Sequence, residues 1–128
     1  LVHNYLNPDG IFVFDVNTPY KFEHVYGNNQ YIFEDENSSG QPTYCGWQNE
    51  YDAESKLCNF YLSVFTEEDD GSYSRCDETQ TERCYSLDEL KSCLGKCGLE
   101  FIGCYGGYDF SEPQDDCERW YIIARAKK

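Results

Sequence analysis

Polar side chains collect directly after one short apolar run near the start of the chain. The run spans residues 11–14 and is followed by Asp15, Asn17 and Tyr20, which offer a carboxylate, an amide and an aromatic ring. Open α/β sheets bind ligands just beyond the carboxyl ends of their strands. These residue types therefore predict a ligand-facing segment here. Asp15 also fits a simple hydrogen bond at the strand end, and Asn17 fits ordinary turn chemistry.

Trp47 is a second candidate, because it lies among other aromatic residues in the middle of the chain. Together with Tyr44 and Tyr61 it fits either an apolar lid over a bound molecule or plain packing within a sheet. The sequence leaves both interpretations open.

Eight cysteines occur among the 128 residues. An even number in a small acidic chain suits a secreted disulfide scaffold, but about 6% cysteine is below the level typical of such scaffolds. No Cys-x-x-Cys is present, and His3 and His24 follow no metal-ligand spacing, so no metal site is predicted. Most of the cysteines occupy positions that suit a small buried apolar residue, which favours free thiols with packing roles.

The composition limits the class of partner. The chain has 24 acidic and 10 basic residues and a net charge of -14, which argues against nucleic acid or an anionic membrane as the main partner. The length suits one domain or part of one, and no apolar run of about 18 residues predicts a membrane span. There is no Met, and Leu1 opens an apolar stretch. We expect this stretch to be the end of a helix cut from a longer chain, and the alternative is a processed N-terminus.

The elements that position these residues follow from local patterns. Asn7-Pro8-Asp9-Gly10 predicts a turn in which Gly10 permits a positive φ. The apolar run at 11–14 predicts a strand buried on both faces, as in a parallel sheet. Residues 20–28 predict a short helix or an irregular segment that ends near Gly27.

The middle of the chain predicts a four-stranded antiparallel meander. Its strands lie at residues 31–33, 44–47, 57–65 and 73–85, separated by polar turns. Within the third strand, apolar and polar side chains alternate, which indicates one buried and one wet face. This block holds most of the excess negative charge, which we interpret as solvated loops rather than a cation site.

The last third predicts a helix, a strand, a loop and a strand. Ser86 and Glu89 have the spacing of a capping box, and Gly98 suits the residue after the helix end. An apolar stripe at helical spacing runs along Leu87, Leu90, Leu94 and Cys97. Strands are predicted at 99–105 and 118–126, with a loop at 106–117.

These segments together resemble class I S-adenosylmethionine-dependent methyltransferases. Residues 5–15 resemble the turn and fifth strand of the seven-strand sheet of that family, with Asp9 where the family usually has its first Gly. Residues 85–101 resemble the last helix and strand six, and 119–125 resemble strand seven. Residues 49–52 and the meander around them resemble an insert between strand five and the last helix in a bacterial subfamily.

The resemblance implies an α/β fold, namely strands five to seven of a Rossmann-like methyltransferase sheet. Residues 1–29 and 85–128 form its core sheet and helix, and 30–84 form an antiparallel insert on the substrate side. The family binds its cofactor over a Gly-rich loop after strand one, and no Gly-x-Gly-x-Gly follows a strand here. The resemblance therefore implies the C-terminal half of an enzyme whose cofactor is S-adenosylmethionine. No cofactor-binding residue is expected in this part.

Asn17-Thr18-Pro19-Tyr20 also resembles the Asn-Pro-Pro-Tyr loop of amino-methylating enzymes, but Thr stands at its second position and it follows strand five instead of strand four. A catalytic role, a substrate-side loop and plain turn chemistry all remain open, and no catalytic residue is identified. The substrate-side candidates are Asp15, Asn17, Tyr20 and Trp47.

The function implied is part of a cytoplasmic methyltransferase that acts on a small molecule and is inactive on its own. The alternatives are a secreted, acidic, disulfide-stabilised β-rich ligand-binding module, which a count of free thiols would distinguish, and a purely structural interaction domain. A sheet that ends at strand five exposes an edge, so self-association through this edge is also expected.

Overall fold

The computed structural model describes all residues, Leu1–Lys128, and divides them into two compact units. The core unit comprises Leu1–His24 and Cys84–Lys128, and the meander unit comprises Val25–Arg83. The elements in chain order are α1 (Val2–Tyr5), β1 (Ile11–Asn17), a π-helical turn (Lys21–Tyr26), β2 (Gln30–Glu36), β3 (Pro42–Asp52), β4 (Leu57–Glu67), β5 (Tyr73–Arg83), α2 (Leu87–Lys96), β6 (Leu99–Tyr105) and β7 (Arg119–Ala126).

The core unit is built on a three-stranded sheet in the order β1-β7-β6, with both pairs antiparallel. Helix α2 packs against β6, and the buried core lies between the helix and this face of the sheet. Its fully enclosed positions come mainly from β7, because β7 is the only strand with a neighbour on each side. The buried cluster consists of Leu94, Leu99, Ile122, Ala124 and Ala126.

Strand β1 is not buried on both faces, contrary to its prediction. It is an edge strand, as a sheet that ends at strand five predicts, and it pairs only with β7, in antiparallel register. Phe12, Phe14 and Val16 pack against the core, whereas Ile11 and Val13 on the other face are 48% and 58% exposed. An apolar run shows that both faces are suited to burial, but it does not say which neighbours cover them. Self-association through this edge stays a prediction.

Helix α2 begins as predicted. The Ser86 hydroxyl accepts a hydrogen bond from the Glu89 amide, and the Glu89 carboxylate accepts one from the Ser86 amide, which completes the capping box. Gly98 follows the helix with a φ of 75°, as expected of a residue after a helix end.

The apolar stripe of α2 is shorter than predicted. Leu87, Leu90 and Leu94 pack into the core, but Cys97 is the C-cap residue and is exposed. Cys93, one turn earlier, is exposed as well, so the packing role predicted for these two cysteines is wrong. All eight cysteines are free thiols, and of these only Cys58 and Cys84 are buried.

The meander unit contains the predicted antiparallel sheet in the order β2-β3-β4-β5. Its first three strands are longer than the sequence indicated, and β3 spans 42–52 instead of 44–47, whereas the fourth ends at Arg83, two residues earlier than predicted. The predicted alternation along β4 is confirmed, because Cys58 and Phe60 are buried while Tyr61 is 39% exposed. One face of this sheet is therefore enclosed and the other is open to solvent.

The turn before β1 is present, but its glycine has a different role from the one predicted. The amide of Gly10 donates to the Asn7 carbonyl over 2.8 Å, and the positive φ, 59°, falls on Asp9. Pro8 followed by a residue of positive φ is the arrangement of a type II turn. A Cβ at Gly10 would lie 2.8 Å from the Asn7 oxygen, so this position needs glycine for close backbone approach.

We expect Gly10→Ala to lower the free energy of unfolding by about 1–3 kcal/mol, because the added methyl group forces the turn apart. The control is Asp9→Gly, which restores the residue usual in the resembled family and relieves the positive φ. It should change stability by less than about 1 kcal/mol, since relief of strain is offset by unfolded-chain entropy. Urea denaturation of both variants is the measurement. A small effect of Gly10→Ala would contradict the close approach at this turn.

Candidate functional site

The carboxyl end of β1 and the start of β7 form the first part of the candidate site. Asn17 lies directly opposite Arg119 in the register, and Asp15 lies two residues away on the same face. The Arg119 guanidinium donates to Asp15 Oδ2 over 2.6 Å and to Asn17 Oδ1 over 3.2 Å. Two of the predicted residues are thus brought together by a third that the sequence did not single out.

This guanidinium is only partly shielded from water, which limits its energetic role. The side chains of Arg119 and Asp15 are 42% and 40% exposed, so the ion pair contributes at most about 1 kcal/mol to stability. Tyr121 lies opposite Asp15, and a hydrogen bond with Tyr108 is the main cause that raises the pKa of Tyr121. The arrangement orients polar groups at the strand end more than it stabilises the fold.

Thr18 fixes the segment that follows. It is 1% exposed, its hydroxyl donates to the Cys117 carbonyl over 2.5 Å and accepts from the Lys21 amide over 3.2 Å. Its own amide donates to the Glu118 carbonyl over 3.1 Å. Thr18 therefore joins the end of β1 to the start of the π-helical turn and to the loop before β7.

A cavity of about 510 Å³ opens next to this segment within the core unit. Tyr20 lines it together with Thr18, and the Tyr20 ring lies 4.8 Å from the His24 ring, centroid to centroid. Asp15 and Asn17 are not among its lining residues. The floor and the far wall come from α2, β6, β7 and the 106–117 loop, and include Lys91, Phe101, Cys104, Gln114 and Trp120.

Lys91 and Cys104 are lining residues that the sequence reasoning missed as site candidates. Lys91 Nζ lies 4.9 Å from the centroid of the Phe101 ring, a cation–π distance. Burial is the main cause that raises the pKa of the Cys104 thiol, and the nearby Cys117 adds to it. This cysteine is therefore a neutral thiol near pH 7. No spacing in the sequence distinguishes these residues from core positions.

Trp47 belongs to the meander unit and is the centre of an aromatic cluster. Its ring centroid lies between 5.8 and 6.4 Å from those of its neighbours Tyr26, Tyr31, Phe33 and Phe60. Its indole nitrogen and the side-chain oxygen of Asn49 are buried and lack a hydrogen-bond partner. The aromatic cluster explains how the Trp47 ring packs, but it leaves the indole N–H without a hydrogen-bond partner. Whether Trp47 acts as a lid or only packs within the sheet therefore stays a prediction.

The glycines of the core unit do not form a Gly-rich turn between a strand and a helix. β1 ends at Asn17 and is followed by Thr18-Pro19, and the Gly106-Gly107 pair follows β6 without opening a helix. A Cβ at Gly106 would lie 3.2 Å from Pro113 Cα, and one at Gly107 would lie 2.8 Å from Asp109 Oδ1. These glycines are packed against their own loop. No group of three or more His, Cys, Asp or Glu side chains is placed to hold a metal ion.

The chain is similar to two curated bacterial proteins. It is 25% identical to "Putative methyltransferase GWCH70_2453" of Geobacillus sp. (strain WCH70), over 97% of this chain and 48% of that protein. It is 27% identical to "Putative methyltransferase YqeM" of Bacillus subtilis (strain 168), over 99% of this chain and 49% of that protein. The chain thus spans about half the length of the curated relatives it matches. No family model matches it.

Solved structures extend the comparison to the fold. A S-adenosylmethionine-dependent methyltransferase from Clostridium acetobutylicum superposes with a TM-score of 0.81 at 26% identity, over 99% of this chain and 48% of that one. The fold of this chain matches about half of a S-adenosylmethionine-dependent methyltransferase. The sugar N-methyltransferase KedS8 from Streptoalloteichus superposes with a TM-score of 0.74 at 12% identity, over 98% of this chain and 46% of KedS8. The methyltransferase resemblance seen in the sequence is confirmed, and the secreted binding module is not supported.

We expect Thr18→Val to lower the free energy of unfolding by about 1–3 kcal/mol, because the shape is kept while the buried Cys117 carbonyl loses its donor. Thr18→Ser keeps the hydroxyl and is the matched control. Arg119→Lys should cost less than about 1 kcal/mol, since the ion pair is half exposed. Urea denaturation ranks the three variants. Equal losses of stability for Thr18→Val and Arg119→Lys would contradict the conclusion that the buried Thr18 hydrogen bond stabilises the fold more than the half-exposed Arg119 ion pair does.

Proposed function

We propose that this chain provides the substrate side of a cytoplasmic S-adenosylmethionine-dependent methyltransferase that acts on a small molecule. The observation that carries the proposal is the superposition on a methyltransferase with this cofactor over 99% of the chain, at a TM-score of 0.81. The sequence relatives support it over nearly the same span. No helix is long and apolar enough to cross a membrane.

The chemistry suits the residues at the candidate site. Transfer of a methyl group by direct displacement requires an oriented acceptor and the exclusion of water more than a strong acid or base. The cavity beside Tyr20 offers apolar walls with Trp120 and Phe101, whereas Arg119 orients Asp15 and Asn17 on the opposite face of the sheet. We assign the residues that line the cavity to acceptor binding, and a substrate-side role for Asp15 and Asn17 stays a prediction.

The character of the cavity and the description of one structural neighbour support the class of acceptor that we propose. KedS8 is described as a sugar N-methyltransferase. The cavity combines aromatic rings with the polar side chains of Gln114 and Asp115, which suits a small polar acceptor that carries an amine or hydroxyl group.

Acceptor binding can be tested without the methyl donor. Ligand-observed NMR of a panel of amino sugars and small amines should show binding by this chain, and Tyr20→Ala should weaken it at least about threefold by removing one wall. Tyr5→Ala is the control, because Tyr5 is 83% exposed and lies outside the cavity. Absence of binding across the panel, or equal binding by both variants, would argue against the substrate-side assignment.

Donor binding provides an independent test. Calorimetry with S-adenosylmethionine should show no specific binding to the 128-residue chain, because its glycines form no cradle for the cofactor. One-to-one binding below millimolar concentration would contradict this expectation and would mean that the donor site is built from sheet and loop residues assigned here to other roles.

A further inference from the structure

The open face of the meander sheet carries more apolar surface than a solvated face needs. Its exposed aromatic and aliphatic side chains come from all four strands, and their exposed fractions reach 65% at Ile32 and 57% at Tyr73. Cross-strand register places Tyr44 beside Phe65, and Tyr73 lies one row further along the same face. The members of this open-face patch are Ile32, Tyr44, Tyr61, Phe65 and Tyr73.

Two neighbouring hollows shape the patch. The larger, about 770 Å³, is lined by Pro42, Tyr44, Phe65 and Tyr73 among others. The second, about 500 Å³, lies over Gly46, where no atom comes within 4 Å of the position of an added Cβ. Because Gly46 is two residues from Tyr44 on one strand, the hollows follow one another along the same face.

Carboxylates surround the larger hollow. Glu34 and Glu36 line it from β2, and Glu34 lies directly opposite Tyr44 in the register. Glu67 accepts a hydrogen bond from the Tyr73 hydroxyl over 3.3 Å, and its charge is the main cause that raises the pKa of Tyr73. The meander unit as a whole has 13 acidic and 3 basic residues. The face therefore combines aromatic rings with a negative potential.

One arginine of the chain already makes this kind of contact on the same face of the sheet. The guanidinium of Arg75 lies over the Phe65 ring, 5.5 Å from its centroid, and donates to Asp77 over 2.8 Å. An aromatic face and a carboxylate thus already hold one arginine side chain on this side of the sheet. Tyr44, 41% exposed, and the two β2 glutamates offer the same pair of groups without a basic residue of the chain among the lining residues of the larger hollow.

We propose that the open-face patch is a docking surface for an extended basic segment of a partner protein, with an arginine or lysine side chain in the larger hollow and the segment continuing over the second. Charge complementarity selects this occupant, because a second copy of a chain with a net charge of -14 would bring carboxylates against carboxylates. The two hollows follow one another along the same strand, β3. An extended segment reaches both hollows, since its alternate side chains point to one side.

The test uses the 128-residue chain and a fluorescein-labelled octapeptide of alternating Arg and Ala, measured by anisotropy at 0.15 M salt. The matched peptide with citrulline in place of Arg should not bind. Tyr44→Ala should weaken binding of the Arg peptide about two- to fivefold through loss of a cation–π contact, and Glu34→Gln with Glu36→Gln should weaken it at least about threefold.

Two sets of matched variants control for the overall negative charge of the chain and for aromatic side chains outside the patch. Glu54→Gln with Glu78→Gln removes two exposed carboxylates from a turn and from the opposite face of the same sheet, and Tyr5→Ala removes an exposed ring from the core unit. Both should leave affinity within about twofold of the unmodified chain. Equal losses for the two carboxylate pairs, or no effect of Tyr44→Ala, would overturn the proposal. Free arginine amide that binds as tightly as the octapeptide would replace it with a small-cation site.

Discussion

The pairing of β7 with β1 is the constraint on which the core unit depends. It joins segments about a hundred residues apart, and β7 is the only strand of its sheet with a neighbour on each side. Ile122, Ala124 and Ala126 on its inner face are fully buried, which closes the core under α2. Closing so long a loop costs chain entropy, so the pairing is stable only because this apolar face is buried with it.

The candidate site inherits its geometry from this register. Because Arg119 lies opposite Asn17, its guanidinium reaches both Asn17 and Asp15, and the next residue, Thr18, continues the pairing through its bond to the Glu118 carbonyl. The buried Thr18 hydroxyl holds the loop in place, while the half-exposed Arg119 clamp orients polar groups toward solvent. A shift of the register by one residue would turn Asp15 to the opposite face of the sheet, and its hydrogen bond with the Arg119 guanidinium would be lost.

The two units present different kinds of surface. In the core unit, Asp15, Asn17 and Arg119 gather at one strand end, and a cavity with aromatic walls lies on the opposite face of the sheet. In the meander unit, one face encloses the cluster around Trp47, and the other exposes aromatic rings among carboxylates. The excess negative charge of the chain is therefore concentrated in the unit that also exposes aromatic surface.

The sequence by itself determined the features that depend on neighbours within a few residues. The capping box of α2, the positions of the meander turns and the face alternation of β4 were all predicted, because hydrogen bonding and side-chain direction at this range follow local spacing. Only the tertiary structure decided that the outer face of β1 is exposed, that Arg119 holds Asp15 and Asn17, and that Cys93 and Cys97 are exposed. The physical reason is that a local pattern encodes a preference for burial, whereas the partner that provides the burial comes from distant segments whose register no local pattern specifies.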